Sequence, residues 1–366
     1  MNKIYSFDAL RFILALTIVL YHITIGKFKA LPSGYLAVEI FFILSGFLLA
    51  KSYFKYKDNF TDKFDLFKKI ILNKLRRLYP EYIFITLIVV FTYYFTLNIN
   101  RFPDLFYNII LFGESGIARN VIDGSWFVSA LFWATFFITF LMIRYNKTFF
   151  YILAPLLFFI CVPPLYHLKP NTLMQIGQAV TPFITAGTLR AIAALCCGCI
   201  LYYFYTNNKK IFQNKKVLIT TGILGIFSII NIFYLMKIHP TKLLPYNIYF
   251  FGFLLILSLI VFDKYLKRLF NNKLWGYLSD TSYMLFLTNI LVQQLMKKYI
   301  PYQQDYSLGL YYFIEVIVCI LSAFLFHSIY KFIAIKTKPF FTITNDSQLD
   351  KDPKTKTTDK QKETTL

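Results

Sequence analysis

The sequence predicts an all-α fold, a polytopic transmembrane helix bundle of about ten spans with both termini in the cytoplasm. Of the 366 residues, 57% are hydrophobic and only 16% are charged, and the mean hydropathy is +0.54. A soluble domain carries roughly 25% charged residues. The apolar residues also form long blocks, and the basic residues concentrate in alternate connections between the blocks.

The apolar blocks are long enough to cross a bilayer, because about 20 apolar residues in a helix span its hydrocarbon core. The ten predicted spans are residues 8–26, 35–52, 82–98, 126–143, 149–166, 184–205, 217–236, 245–262, 277–295 and 308–334. They form one predicted domain, residues 1–340. Residues 341–366 are rich in Lys, Thr, Asp and Gln and are typical of a disordered cytoplasmic tail.

The distribution of positive charge sets the predicted orientation. A net charge of +21 would suit a nucleic-acid-binding protein, but its placement argues against nucleic acid as a partner. Nine basic residues lie between Lys51 and Arg77, whereas the next connection carries only Arg101 and Arg119. This alternation follows the positive-inside rule and puts the 51–77 connection against the anionic lipid of the cytoplasmic surface.

The same basic connection contains an amphipathic pattern. Its apolar members recur at helical spacing with lysines between them: Phe60, Phe64, Phe67, Ile71, Leu75 and Leu78. The pattern predicts a helix that lies flat on the inner leaflet. Pro80 then predicts the start of the third span.

Cysteine placement favours packing over metal binding. All five cysteines fall in predicted spans, and no His or acid lies at ligand spacing from Cys196, Cys197 and Cys199. No metal site is therefore expected. The first apolar run is not typical of a cleavable signal peptide, because Arg11 interrupts it and no small-residue cleavage site follows.

Ionisable residues inside spans are candidates for function, because each costs at least ~2.5–3.5 kcal/mol on insertion scales. The clearest are Arg11, His22, Glu39 and Arg190; Glu315 and His327 are weaker. Arg11 and His22 are separated by about 16–17 Å and three turns plus ~20° of helix, so they share one face. Alternatively, Arg11 reaches lipid phosphates and His22 bonds a neighbouring helix.

Glu39 is expected to meet His22. The connection 27–34 is short, so the first two spans should be antiparallel neighbours. His22 and Glu39 both lie about 6–7 Å below the predicted outer surface. Because a carboxylate that holds an imidazole prepares a general base, His22 and Glu39 are the candidate catalytic pair.

Several motifs resemble those of one family. They are F-D-A-L-R (Phe7–Arg11), with Arg11 and His22 in Arg-x10-His spacing; G-Y-L-A-V-E-I-F-F-I-L-S-G-F-L-L (Gly34–Leu49), with Glu39; K-L-R-R-L-Y-P (Lys74–Pro80); G-S-W-F-V-S-A-L-F, with Trp126; and the stretches Leu189–Tyr202 and Ser279–Asn289. Together they resemble the acyltransferase-3 family of bacterial membrane O-acyltransferases over most of residues 5–335. The first two motifs are the specific ones.

Three positions depart from the family pattern. Lys74 replaces the first arginine of a basic Arg-x-x-Arg pair, which makes a bidentate grip on phosphate less favourable. Leu131 stands where many members have Glu, and Asn289 stands where many have His. No acid–base role is therefore assigned to either position.

The resemblance implies a multi-pass O-acyltransferase of the bacterial inner membrane that modifies a surface polysaccharide such as lipopolysaccharide. Its co-substrate would be acyl-CoA, usually acetyl-CoA, with no permanently bound cofactor, and its acceptor a glycan or lipid-linked sugar. Arg11, Lys74 and Arg77 would bind the CoA phosphates. The pantetheine arm would lie along the first span, and His22 would act as general base or acyl carrier.

Arg190 and Trp126 are candidates for stabilising the oxyanion or binding the acceptor. An equally weighted alternative is that Arg190 has only a structural role, as the ion-pair partner of Glu39 or Glu315. Two other functions stay open: a transporter or flippase of lipid-linked sugars, whose pathway the same charges would line, and a structural subunit of a glycan-assembly complex. The Arg-x10-His pair favours the enzyme, because a flippase does not need it.

Overall fold

The structure, a computed structural model, describes residues 3–24, 31–113, 118–167, 179–181, 184–238, 245–302 and 307–341. The helices in these ranges are α1 (Ser6–Thr24), α2 (Ala37–Tyr56), α3 (Lys63–Thr92), α4 (Phe102–Ile109), α5 (Trp126–Tyr145), α6 (Ala154–His167), α7 (Ala186–Asn207), α8 (Lys215–Lys237), α9 (Pro245–Val261), α10 (Asp263–Phe270), α11 (Lys273–Tyr299) and α12 (Leu308–Phe341). Two π turns, Tyr93–Leu97 and Phe149–Leu153, extend α3 and precede α6. One antiparallel hairpin pairs β1 (Ala179–Thr181) with β2 (Ile184–Thr185).

The predicted all-α membrane bundle is confirmed. Within the described ranges, seven helices are long and apolar enough to cross a membrane, and α9 with α10, bent by 82°, would make eight. The two remaining predicted spans are also helical. Of these, α6 with its π turn is short, and α11 carries many polar side chains. The count of ten crossings therefore stays a prediction.

The chain divides into two compact units, residues 1–324 and residues 325–366. The first contains α1 to α11 and the beginning of α12. Of the second, the structure describes only the helical residues up to Phe341. The predicted disordered tail therefore lies, apart from residue 341, outside the described residues.

The separate interfacial helix predicted before Pro80 is wrong. Residues 63–92 form one continuous helix, α3, with Pro80 inside it. Proline lacks an N–H, so the carbonyl of Arg76 loses its intrahelical partner. Arg76 is exposed, so the freed carbonyl belongs to a residue that other helices do not enclose. The basic first half and the apolar second half of residues 63–92 therefore belong to a single helix.

Two glycines allow α2 and α7 to pack with their backbones in contact. A Cβ atom on Gly46 would collide with the backbone of Leu195, and one on Gly198 would collide with the backbone of Ile43. The two backbones can touch because both positions lack a side chain. The thiol of Cys199 also donates to the Gly46 carbonyl across 3.3 Å.

Contacts along the helices fix their relative directions. Glu39 meets Arg190 and Phe47 meets Tyr202, so α2 and α7 run in parallel. The predicted antiparallel packing of α1 and α2 is confirmed, because Phe7 contacts Phe47 while Tyr21 contacts Tyr35. We call the two ends of this bundle the Asp8 end and the His22 end, after residues near the start and the finish of α1.

Candidate functional site

A buried ion pair joins α2 to α7 at the His22 end. The Arg190 guanidinium donates from Nε to Glu39 Oε1 across 2.5 Å and from Nη2 to Glu39 Oε2 across 2.9 Å. Both side chains are 0% exposed. Two parallel charge-assisted bonds are the strongest geometry that an arginine and a carboxylate can form. The pair therefore fixes the relative position of the two helices.

Aromatic rings enclose the guanidinium. Its central carbon lies 4.8 Å from the centre of the Trp126 ring and 5.7 Å from that of Tyr35. Tyr249, on α9, is 1% exposed and lies within electrostatic range of both Arg190 and Glu39. Rings over a cation add attraction that is strongest without water. Of the alternatives for Arg190, this enclosure favours the structural partner over a donor to substrate.

The expected contact between His22 and Glu39 is replaced by the ion pair. Both carboxylate oxygens of Glu39 accept from Arg190, and within the described part of the chain no hydrogen bond joins Glu39 to His22. A permanently charged planar guanidinium binds a buried carboxylate better than a neutral imidazole does. The His22 ring is half-buried beside Tyr21, with ring centres 5.0 Å apart.

The three cations assigned to donor binding come together at the Asp8 end. Arg11, on α1, lies within electrostatic range of Arg77 on α3, and Lys74 lies within range of both. Like charges so close repel one another, so the cluster attracts anions, and Asp8 and Asp280 already supply two carboxylates within electrostatic range of Arg11. The structure thus brings the three predicted residues together; their role remains a prediction.

Asp8 anchors this end of α1. Its carboxylate pairs with Lys3 at 2.7 Å and with Arg11 at 3.2 Å, and it accepts from the Ser279 hydroxyl at 3.2 Å. Asp8 is 5% exposed. The contact with Ser279 ties α1 to α11. The carboxylate holds the base of the Arg11 side chain while Arg77 acts on its charge from α3.

A small pocket lies beside Lys74, between α3 and α5. Its lining is mainly apolar and comprises Lys74, Leu75, Leu78, Tyr79, Leu111, Val128 and Phe132. Lys74 is half-buried at this pocket, and Arg77 is exposed. The pocket therefore offers an apolar recess next to a cation.

The shared face of Arg11 and His22 is filled by other side chains. Ala15 and Ile18 lie on that face between them and are 0% and 2% exposed. The two functional candidates do share a side of α1, as the spacing predicts. A ligand that followed this face would have to displace the packed neighbours of Ala15 and Ile18, whereas the Lys74 pocket is already present.

Three contributors to the site were not singled out from the sequence. Tyr35 and Tyr249 cover the ion pair, but 28 tyrosines occur in the chain, and spacing alone does not distinguish these two. Asp8 did have a signal, an acid at the start of a span three residues before Arg11. Its i, i+3 spacing predicts the contact that the structure contains.

The cysteines of α7 pack inside the bundle. Cys197 and Cys199 are buried, and their thiols donate to the carbonyls of Tyr249 and Gly46. Among the described residues, no three His, Cys, Asp or Glu side chains are grouped to hold a metal ion. The cysteines therefore belong to the α2–α7–α9 interface.

Comparison with known proteins identifies the class. The sequence profile of one family, described as an acyltransferase domain, matches residues 4–328. The chain therefore belongs to the acyltransferase-3 family. With its apolar helices, this membership supports a multi-pass membrane protein with acyltransferase activity. No match was found among curated proteins or among solved structures.

Removing one member of the ion pair should destabilise the protein more than removing both. Glu39→Leu or Arg190→Leu alone leaves a buried, unpaired charge, which costs about 3–5 kcal/mol, whereas an apolar pair of similar volume is often tolerated. We expect each single variant to lower the melting temperature of the detergent-purified protein more than Glu39→Leu/Arg190→Leu does.

Arg144→Leu is the matched control, because Arg144 is exposed at the other end of α5. It should leave the melting temperature nearly unchanged. If the melting temperature of the double variant fell by the sum of the two single decreases, the pairing of Glu39 with Arg190 would be contradicted.

Proposed function

We propose that this protein is a membrane-bound O-acyltransferase of the bacterial inner membrane. It transfers an acyl group, with acetyl as the proposed group, from cytoplasmic acyl-CoA to a hydroxyl of a cell-surface or lipid-linked glycan. The observation that carries the proposal is the arrangement at α1. One end of this helix joins a cluster of three cations, and the other end presents a half-buried histidine.

Helix directions support ten crossings in this proposal. Because α2 and α7 are parallel, an odd number of crossings separates them, and α3 and α5 supply only two. The short α6 with its π turn is then the third. Further along, α8 ends near Ser33, which bonds the Met236 and Ile238 carbonyls, and α9 carries Tyr249 to the ion pair. The direction therefore alternates again between α7, α8 and α9.

The charge of the connections supports a cytoplasmic Asp8 end. Lys267, on α10, lies over the ring of Tyr5, and Lys51 lies within range of Asp263. Basic residues crowd the short connections at this end, as the positive-inside rule requires of the cytoplasmic side. Acyl-CoA is made in the cytoplasm, so the donor and the three clustered cations would meet on the same side.

At the cytoplasmic end, the three cations would hold the phosphates of CoA. Arg11 and Arg77 offer planar forks for phosphate oxygens, and Lys74 offers a compact point charge. The apolar recess beside Lys74 has room for about one water molecule, so it would have to widen to admit the acyl end of the donor. The three cations are therefore the part of the donor site that is already formed.

At the outer end, His22 would act on the acyl group. As a general base, its imidazole would remove the proton of the acceptor hydroxyl while the oxygen attacks the thioester carbonyl, and the CoA thiolate would leave with that proton. As a carrier, a ring nitrogen would hold the acyl group between two transfers. Both routes stay open in this proposal. Glu39, Arg190 and Trp126 would then position the site instead of contacting the reacting atoms.

Replacement of His22 tests the proposed reaction. We expect His22→Ala to lower acetyl transfer at least ~100-fold, because general acid–base catalysis contributes about that much or more. The measurement is acetylation of surface polysaccharide by membranes, normalised to the amount of inserted protein. Thr17→Ala is the control on the same helix, where the hydroxyl donates to the Ile13 carbonyl across 2.9 Å.

Undiminished transfer by His22→Ala would contradict the proposed mechanism. A wild-type protein that moves lipid-linked sugar across the membrane without any acetyl transfer would favour the flippase instead.

Replacement of the α3 cations tests the donor site. We expect Lys74→Ala to raise the apparent KM for acetyl-CoA about tenfold. Arg77→Ala should raise it only several-fold, because Arg77 is exposed and the contacts of exposed charges are weaker than those of half-buried ones. The rate at saturating donor should change little. Lys68→Ala, an exposed lysine on the same helix, is the control. A large fall in kcat with an unchanged KM would move both residues to the reacting centre.

A further inference from the structure

A polar cluster at the His22 end is not used by the mechanism above. Its core is Asp123, whose Oδ1 accepts from Arg101 Nη2 at 3.3 Å and whose Oδ2 accepts from Gln294 Nε2 at 3.2 Å. The hydroxyl of Tyr93 lies beside these three side chains and interacts with those of Asp123 and Gln294. We call these four residues the Asp123 cluster. They come from α3, α11 and the segments that flank α4.

Three buried polar atoms of the cluster lack a well-formed hydrogen bond to any described residue. They are the Tyr93 hydroxyl, Arg101 Nε and Gln294 Oε1. Tyr93 is 0% exposed. Buried polar groups are paired in the great majority of cases, because an unpaired one costs its full desolvation. Several such atoms around one carboxylate therefore indicate partners from a bound molecule.

The cluster opens to solvent through Asp123, whose side chain is 40% exposed, while Arg101 is 18% exposed. A ligand would therefore approach the cluster at this carboxylate. The π turn of α3 also begins at Tyr93, and π turns inside helices occur frequently at functional sites. The cluster thus combines a solvent-exposed carboxylate with buried polar atoms that lack well-formed hydrogen bonds.

The segment that carries Asp123 is held in place by Asn108. This side chain is 0% exposed, donates to the carbonyls of Asp104 and Arg119 at 2.8 Å, and accepts from the Val121 amide at 3.1 Å. It also accepts from the Tyr82 hydroxyl of α3 at 3.2 Å. The cluster is therefore preorganised against α3.

The cluster is also joined directly to the ion-pair site. Gly124, with a φ of 93°, turns the chain between Asp123 and α5 in a conformation that favours glycine. Two residues later, Trp126 lies over Arg190. A molecule bound at Asp123 would thus lie at the same end of the bundle as His22.

We propose that the Asp123 cluster binds the hydroxyl groups of the acceptor sugar; this inference rests on the proposed function. The charges of Arg101 and Asp123 cancel, so the site favours a neutral polar ligand over a phosphate. The atoms of the cluster that lack well-formed hydrogen bonds include both donors and acceptors. Such a mixture suits hydroxyl groups, because each hydroxyl both donates and accepts. A carboxylate flanked by amide, guanidinium and phenol groups matches adjacent hydroxyls of one sugar ring.

The sharpest test removes one hydroxyl of the cluster. The contacts of the Tyr93 hydroxyl with Asp123 and Gln294 do not reach good hydrogen-bond geometry, so Tyr93→Phe should change the melting temperature little. Affinity for the acceptor should fall at least several-fold, because a hydrogen bond to the ligand is lost. The probe is surface polysaccharide extracted from cells that lack the protein, titrated without donor against tryptophan fluorescence of the full-length protein in detergent. Tyr94→Phe is the control, because the neighbouring Tyr94 is 46% exposed.

A second variant, Asp123→Asn, should weaken binding of the polysaccharide at least tenfold, because the lost partner is charged. The apparent KM for acetyl-CoA should change less than twofold. Equal binding by wild type, Tyr93→Phe and Asp123→Asn would overturn the inference, as would failure of the wild type to bind. Binding that behaves as expected without any acetyl transfer would overturn the proposed function and leave the sugar site standing.

Discussion

The ion pair between Glu39 and Arg190 is the constraint on which the rest of this architecture depends. Either charge alone inside a membrane helix costs at least ~2.5–3.5 kcal/mol on insertion scales, so each requires the other. Their bond is possible only if α2 and α7 approach backbone to backbone. Gly46 and Gly198 permit that approach, because a side chain at either position would collide with the facing helix. Glycine packing and charge pairing are thus two parts of one contact.

Other elements of the His22 end gather around this contact. Trp126 brings the start of α5 over the guanidinium, and Tyr35 brings the segment before α2. The ring of Tyr21 contacts both the ring of Tyr35 and the ring of His22. His22 is therefore positioned by aromatic packing around the ion pair. Its ring nitrogens make no bond to Glu39 within the described residues, which leaves the imidazole available for chemistry.

The sequence predicts the candidate residues better than it predicts their partners. Arg11, His22, Glu39 and Arg190 stand out because charge is rare in apolar helices. Which of these side chains contact one another depends on how helices far apart in the chain pack together. The sequence predicts only one such pair of neighbours, α1 and α2, from the short connection between them. Proximity in the sequence predicts that Glu39 pairs with His22, whereas α7 supplies a stronger partner, Arg190, from 151 positions away.

Two further differences have local causes. Pro80 predicts a helix start, yet one missing N–H does not end a helix whose freed carbonyl lies at an exposed residue. The Asp123 cluster was missed because Tyr93, Arg101 and Gln294 are ordinary polar residues at the ends of spans. Their significance appears only when the fold brings them together and leaves their atoms unpaired.

The central claim is that the two ends of α1 act at opposite faces of the membrane: the donor binds at the Asp8 end and the acceptor reacts at the His22 end. Sealed vesicles containing the full-length protein, with radiolabelled acetyl-CoA outside and extracted surface polysaccharide enclosed, test it most directly. The account predicts that labelled acetyl groups appear on the enclosed polysaccharide while CoA remains outside. Label confined to the outer solution, or polysaccharide that leaves the vesicles without being acetylated, would contradict it.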